Sequence, residues 1–260
     1  MGLGRSAAVV LGSFPLGESD RVVTFFTREH GKLRGVARRA RRLSSRFGSA
    51  LELFTHGELV FFDGGRSDLV QVDHFDITRP FAGVREDLET LGQAAWMAEC
   101  VTRLTAERDP NPAVYGLFLR ALASVEAGAV PARVALAFGL RCIDALGHRL
   151  RTDRCVACGA RGRRMAAIGV DTGGTLCPSC ARGERGVVPV GPPALALLER
   201  LRRMAWAEAV GGGLGAAGEE LRTVLEAQVA HLIGQPTRAS RFLREVVGAR
   251  TTAMSPGELP

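Results

Sequence analysis

The hydrophobic pattern changes period once along the chain. Up to about residue 80, apolar residues come in short alternating or continuous runs: Ala7–Leu11, Arg21–Thr27, Lys32–Ala37, Glu58–Phe62 and Leu69–Ile77. Turn formers separate them, as in Phe14-Pro15-Leu16-Gly17, His30-Gly31 and Asp63-Gly64-Gly65. Period-two runs bounded by glycine and proline read as strands. Five such strands in so short a segment predict a barrel of the OB type, because a sandwich ordinarily takes about seven strands and more residues.

From residue 84 the spacing becomes helical. Leu88, Leu91, Ala95, Ala98 and Val101 recur on one face, with Glu86, Asp87 and Glu89 where a helix dipole favours acids. Asp109-Pro110-Asn111-Pro112 ends that helix and starts a second near Ala113–Val125. Pro131 opens a third, which runs to about Leu146 and stops at Gly147. Further helices are expected at Pro193–Val210, Glu219–Ile233 and Arg238–Val247. The expected fold is α+β and multidomain. An OB barrel spans 1–80, and an all-α helical domain spans 81–150 and 187–250. A cysteine module is inserted at 151–186, and a tail over 251–260, with little to bury, is disordered.

Composition adds little until charge is mapped. The chain is 46% apolar and 23% charged, an ordinary globular balance. No apolar run approaches the roughly 18 residues of a membrane span. The run Ala7–Leu11 is too short for a signal peptide, so a cytoplasmic protein without membrane contact is expected. The net charge of +7 is unevenly placed. Between residues 28 and 46, Arg28, Lys32, Arg34, Arg38, Arg39, Arg41, Arg42 and Arg46 are opposed by Glu29 alone. A focused positive field attracts polyanions or acidic surfaces.

The sharpest chemical signal is Cys155-Val-Ala-Cys158 followed by Cys177-Pro-Ser-Cys180. Two residues between cysteines let both thiolates of a turn reach one ion, and the second pair completes a tetrahedron. Gly159 suits the tight turn after the first pair, and Gly173-Gly174 suits a hairpin before the second. Four thiolates leave no position for water, so one structural Zn2+ is expected rather than a catalytic one. Unliganded cysteines and an iron–sulfur cluster are the alternatives, the latter disfavoured by its different spacings. Cys100 and Cys142 fall inside predicted helices and read as buried packing residues. Arg151, Arg154, Arg161, Arg163 and Arg164 flank the first pair, as a solvated rim or as a second polyanion contact.

Lys32, Arg34, Arg38, Arg39, Arg41, Arg42 and Arg46 are the candidate nucleic-acid contacts. Arginines on a strand and the loop after it suit phosphates, and Ser44 and Ser45 add hydroxyl donors. A solvated loop is the plain alternative. Phe25-Phe26 and Phe61-Phe62 are adjacent on strands, so one ring of each pair faces away from the barrel interior. Such a ring packs beneath the helical body, the preferred reading, or stacks on bases.

Other motifs lack context. Gly213-Leu-Gly215-Ala-Ala-Gly218 matches a dinucleotide fingerprint but follows a predicted helix, and reads as an interhelical loop. No phosphate-binding G-x-x-x-x-G-K-[ST] loop is present, so nucleotide binding is not expected. The five histidines are scattered, and His74 with Asp73 and Asp76 reads as a mixed-charge strand. Glu18 and Asp20 read as solvated turn acids rather than nuclease metal ligands. No catalytic constellation assembles from the sequence.

The stretch from Gly17 to Leu33, continued through Gly35–Leu51 and Leu53-Phe54, resembles the RecO family. The order Gly147, Cys155-x-x-Cys158-Gly159, Gly173-Gly174 and Cys177-x-x-Cys180 resembles that family's zinc-containing members, and Arg241–Glu245 resembles its closing helix. Arg39 departs from the pattern, since members often carry glycine there. The resemblance implies ATP-independent binding of single- and double-stranded DNA, annealing of complementary strands, and help in loading RecA onto DNA coated by single-strand-binding protein. It implies RecR and the acidic, apolar C-terminal tail of that coat protein as partners, and Arg120, Arg133 and Arg141 are candidates to receive the tail. Residues alone leave two rivals: an RNA-binding or ribosome-associated protein, and a protein–protein adaptor.

Overall fold

All five period-two runs become strands, and they close on themselves. The computed structural model describes residues 2–42, 44–65, 67–161 and 164–253. Strands β1 (Gly2–Leu16), β2 (Asp20–Thr27), β3 (Gly31–Ala37), β4 (His56–Asp63) and β5 (Leu69–Arg79) form a closed barrel in the order β1-β2-β3-β5-β4. Neighbours are antiparallel except β3 and β5, which run parallel through Arg34–Leu69, Gly35–Val70 and Val36–Gln71. This is OB topology. Its interior is filled by Val10, Val23, Phe25, Leu33, Leu59, Phe61, Val72 and Phe75, with Phe25 and Phe75 edge to face at 5.3 Å.

β1 is far longer than its apolar run. Gly2–Val9 pair with β4 and Ala8–Leu16 pair with β2, with a register shift between Val10 and Gly12. A bulge bends one strand so that it serves both neighbours. The outward ends of such a strand need not be apolar, which is why alternation reported only its middle.

Helices α1 (Leu88–Leu104), α2 (Pro112–Glu126), α3 (Pro131–Ala145), α7 (Gly215–Ile233) and α8 (Arg238–Ala253) lie close to their predicted positions. Three expectations change. The predicted helix 193–210 is two, α5 (Pro192–Arg203) and α6 (Trp206–Val210). Arg141 of α3 explains the break, because its guanidinium donates to the carbonyls of Leu201 and Met204 and lies 5.4 Å from the Trp206 ring. It satisfies the end of α5 that would otherwise have continued. The Gly213–Gly218 stretch is no mere loop, since α7 begins at Gly215, whose φ is +65°. α8 extends through 251–253, part of the expected tail, while 254–260 lie outside the described residues.

The chain divides into two compact units, and a stretch of the helical region goes with the barrel. One unit holds 1–86 and 101–126, and the other holds 87–100 and 127–260. The reason lies in what 101–126 touches. Tyr115 packs its ring 5.7 Å from Phe26, Arg79 pairs with Glu126 at 2.7 Å, and Arg108 pairs with Asp63 at 2.5 Å. Gly31 sits where any Cβ would fall 2.3 Å from the Asp109 carbonyl, and its φ of +65° suits only glycine well. The outward Phe26 therefore packs beneath a helix, as preferred from sequence. Phe62 is the exposed ring of its pair.

The second unit contains the cysteine module, where β6 (Ala167–Gly169) pairs with β7 (Gly174–Leu176) and β8 (Val187–Pro189). A short helix, α4 (Pro178–Ala181), follows the third cysteine. Cys100 and Cys142 are buried in this unit, and burial pushes both thiols up, Cys142 to about 12. Inert packing cysteines are what the sequence led us to expect.

Candidate nucleic-acid interface and metal centre

Strand β3 and the turn after it carry the basic stretch. Arg34, Arg38, Arg39, Arg41, Arg42 and Arg46 are all exposed. Arg38, Arg39, Arg42, Ser44, Ser45 and Arg46 line a cleft of about 340 Å³. Leu43, in the same turn, lies outside the described residues. Arg46 is partly matched by Asp73 at 3.8 Å and lies 5.2 Å from the Phe47 ring. Among the described residues, no carboxylate lies within ion-pair distance of Arg38, Arg39 or Arg42. The cationic surface is open.

Lys32 is corrected out of this set. It is 6% exposed, and its ammonium donates to the carbonyls of Thr102 at 2.5 Å and Thr105 at 2.9 Å, with Glu107 at 3.5 Å. Those carbonyls end α1, where a cation is favoured by the helix dipole. The lysine lies on the barrel's outer surface, as alternation implied, but that surface is covered at this point. Lys32→Met should therefore cost about 1–3 kcal/mol in urea unfolding, since it leaves buried acceptors unmatched. The same variant should bind oligonucleotides with unchanged salt dependence. A slope shallower by about 0.7, one lost phosphate, would return Lys32 to the contact set.

Two features beside the arginines were not legible. Phe14 and Leu16, at the end of β1, are 45% and 42% exposed, and the Arg34 guanidinium lies 5.9 Å from the Phe14 ring. Their signal in the sequence was only a turn. Asp20, which the sequence assigned to a solvated turn, accepts a hydrogen bond from the Arg39 backbone N–H at 2.8 Å. That bond, together with the neighbouring Ser19 hydroxyl and the Arg38 and Arg42 charges, holds the Asp20 carboxyl below its usual range. Glu18 is exposed in the turn. Arg39 itself has a φ of +58°, a conformation that costs a non-glycine residue on the order of 1–3 kcal/mol. A glycine at this position would be unstrained.

The four cysteines converge. The sulfurs of Cys155, Cys158, Cys177 and Cys180 all lie within 4.8 Å of one another. Gly159, with φ +74°, donates to the Cys155 carbonyl at 2.8 Å and closes the first turn. The Cys177 N–H points at the Cys155 sulfur at 3.4 Å. Burial pushes the Cys155 thiol up, but N–H groups of Cys177, Cys158 and Ala157 more than reverse this and bring it to about 6. The Cys180 N–H holds the Cys177 thiol low, while hydrogen bonds that the protonated Cys180 thiol donates to Cys177 and the other two sulfurs push Cys180 up to about 12. Backbone donors thus stabilise thiolate on a cluster whose members resist ionising together. A cation resolves that conflict. A tetrahedron with metal–sulfur bonds of about 2.3 Å has edges of about 3.8 Å, within easy reach of this geometry. These residues fit one metal ion.

Around the module, Arg154 pairs with Asp153 at 2.9 Å and Arg161 approaches it at 4.0 Å, as a solvated rim would. Arg163 lies outside the described residues. Arg133 and Arg141, candidates for a partner's tail, are engaged internally. Arg133 is 7% exposed and donates to the Ala209 carbonyl at 2.8 Å, while Arg141 serves α5.

An OB barrel with an open arginine loop, in a chain whose other unit is helical and carries a four-cysteine cluster, defines a class of metal-compatible OB-fold proteins. Comparison with known proteins narrows the class. The family model described as recombination protein O N terminal matches residues 1–81, and recombination protein O C terminal matches 85–240. The DNA repair protein RecO of Anaeromyxobacter dehalogenans (strain 2CP-C) is 37% identical over 245 residues, covering 93% of this chain and 96% of that protein. The DNA repair protein RecO of Roseiflexus sp. (strain RS-1) is 34% identical over 250 residues, covering 93% and 85%. The chain belongs to the RecO family of DNA repair proteins. Among the described residues, no helix is long and apolar enough to cross a membrane.

Proposed function

We propose that this protein is a DNA-annealing recombination mediator that acts without nucleotide and without catalysing a covalent step. The observation that carries the reading is the open arginine cleft after β3. Arg34, Arg38, Arg39, Arg41, Arg42 and Arg46 would contact phosphates of single- and double-stranded DNA. Two strands approaching each other repel through their backbones, and a shared cationic surface lowers that repulsion so that bases can pair. Roughly five phosphate contacts correspond to a salt slope of about −3 to −4 on single strands.

The family supports the finer assignments. The protein would help load RecA onto strands coated by single-strand-binding protein, with RecR and the coat protein's C-terminal tail as partners, in the cytoplasm and at the nucleoid. One structural Zn2+ would be held by Cys155, Cys158, Cys177 and Cys180, chosen because four thiolates in tetrahedral reach suit a closed zinc site. Bound there, zinc supplies cross-linking charge neutralisation and no reactive position.

The test is annealing of complementary oligonucleotides precoated with single-strand-binding protein, with no nucleotide present. The protein should accelerate duplex formation over the coated strands alone. No acceleration would reject the reading, and equal or better performance on matched RNA would favour an RNA-directed role instead.

A further inference from the structure

The arginine loop has to hold a costly shape while carrying charges that repel one another, and the tether that holds it is anionic. Arg39 occupies the left-handed region with φ +58°. Its N–H donates to the Asp20 carboxylate at 2.8 Å, and the Ser19 hydroxyl donates to the same oxygen of Asp20 at 2.8 Å. The Arg41 N–H donates to the Ser19 carbonyl at 2.9 Å, and the Arg41 guanidinium donates to the Gly17 carbonyl at 2.7 Å. The turn between β1 and β2 therefore grips the loop at two successive points, on either side of Ala40.

We propose that Asp20 is a positioning residue that preorganises the arginine loop for backbone phosphates. The proposal rests on the reading of that loop as the DNA contact surface. Its logic runs against simple electrostatics. Asp20 adds a negative charge beneath a surface meant for polyanions, and Arg38 and Arg42 are near enough to feel it. Judged by charge alone, its removal should tighten DNA binding. Judged by geometry, removal frees Arg39 to leave the left-handed region. The guanidiniums of residues 38–42 then disperse, and each must be reassembled when DNA binds.

Four variants of the full-length protein separate these accounts: Asp20→Ala, Asp20→Asn, Arg39→Gly and Arg39→Gly/Asp20→Ala. Binding of a fluorescent single-stranded oligonucleotide is measured across a salt series, beside thermal melting of each variant. Asp20→Ala should weaken binding by about tenfold at fixed salt, the scale of one charge-assisted hydrogen bond. Asp20→Asn should match or exceed the wild type, because the amide oxygen still accepts from Arg39 while the opposing charge is gone. Adding Asp20→Ala to Arg39→Gly should cost far less than tenfold, since glycine adopts this φ unaided.

Asp20→Ala binding as tightly as the wild type or tighter would overturn the proposal. So would an equal loss in Asp20→Asn, or an undiminished loss in the glycine background. Joint replacement of Arg38, Arg39, Arg41 and Arg42 by alanine keeps the two readings apart. Unchanged affinity in that variant rejects the interface itself, whereas loss there with none in Asp20→Ala rejects the latch alone.

Discussion

Replacing Arg38, Arg39, Arg41 and Arg42 together with alanine should weaken single-strand binding by roughly two to three orders of magnitude at 0.1 M salt. The magnitude follows from counterion release. Six exposed arginines on β3 and its loop correspond to a slope of about −4, and two remaining ones to about −1.5. Near 0.1 M salt each unit of slope is worth about a factor of ten. The flattening of the slope is the more specific readout, because a misfolded barrel would also lose affinity. Far-ultraviolet circular dichroism should be unchanged, since the four side chains lie on an exposed turn outside the barrel core. Retained affinity with an unaltered slope would mean that phosphates bind elsewhere.

Cys155→Ser should abolish metal retention and unfold the module around it. The argument comes from how little else holds that segment together. Among the described residues, its apolar cluster around the sulfurs has Cys155, Leu176 and Cys177 buried, and two of those would be ligands themselves. Its three strands are three residues long each. A segment with so small a core depends on its cross-link, and zinc binding by comparable cysteine sites is worth on the order of 10 kcal/mol. The purified wild type should therefore hold one zinc per chain and the variant almost none, measured with a chromophoric chelator after thiol release. Trypsin should then cut within 154–185, where Arg154, Arg161, Arg164, Arg182 and Arg185 lie. A variant that resists trypsin as the wild type does would show the module to be stable without metal.

The sequence exposed some of this architecture and hid the rest for identifiable reasons. The barrel strands were readable because each alternates between a packed interior and a second surface. The cysteine pairs were readable because metal geometry is enforced over two residues, independent of tertiary context. Lys32 was misjudged because period two reports which surface of β3 it occupies and not whether another segment covers that surface. The ending of α5 at Arg203 depends on Arg141, 62 residues earlier in the chain, so no local propensity could reveal it. Asp20 was recognised as an acid in a turn. Its partner is a backbone N–H on a different turn, and only the barrel's closure brings the two together.

The pairing of 101–126 with the barrel bears on how the protein is made. A ribosome releases the five strands well before Tyr115 and the carbonyls of Thr102 and Thr105 emerge. For that interval the Phe26 ring lacks Tyr115 and the Lys32 ammonium lacks its carbonyl acceptors. The nascent barrel must wait with an unfinished flank, and maturation of the N-terminal unit is complete only when the second helix has left the exit tunnel.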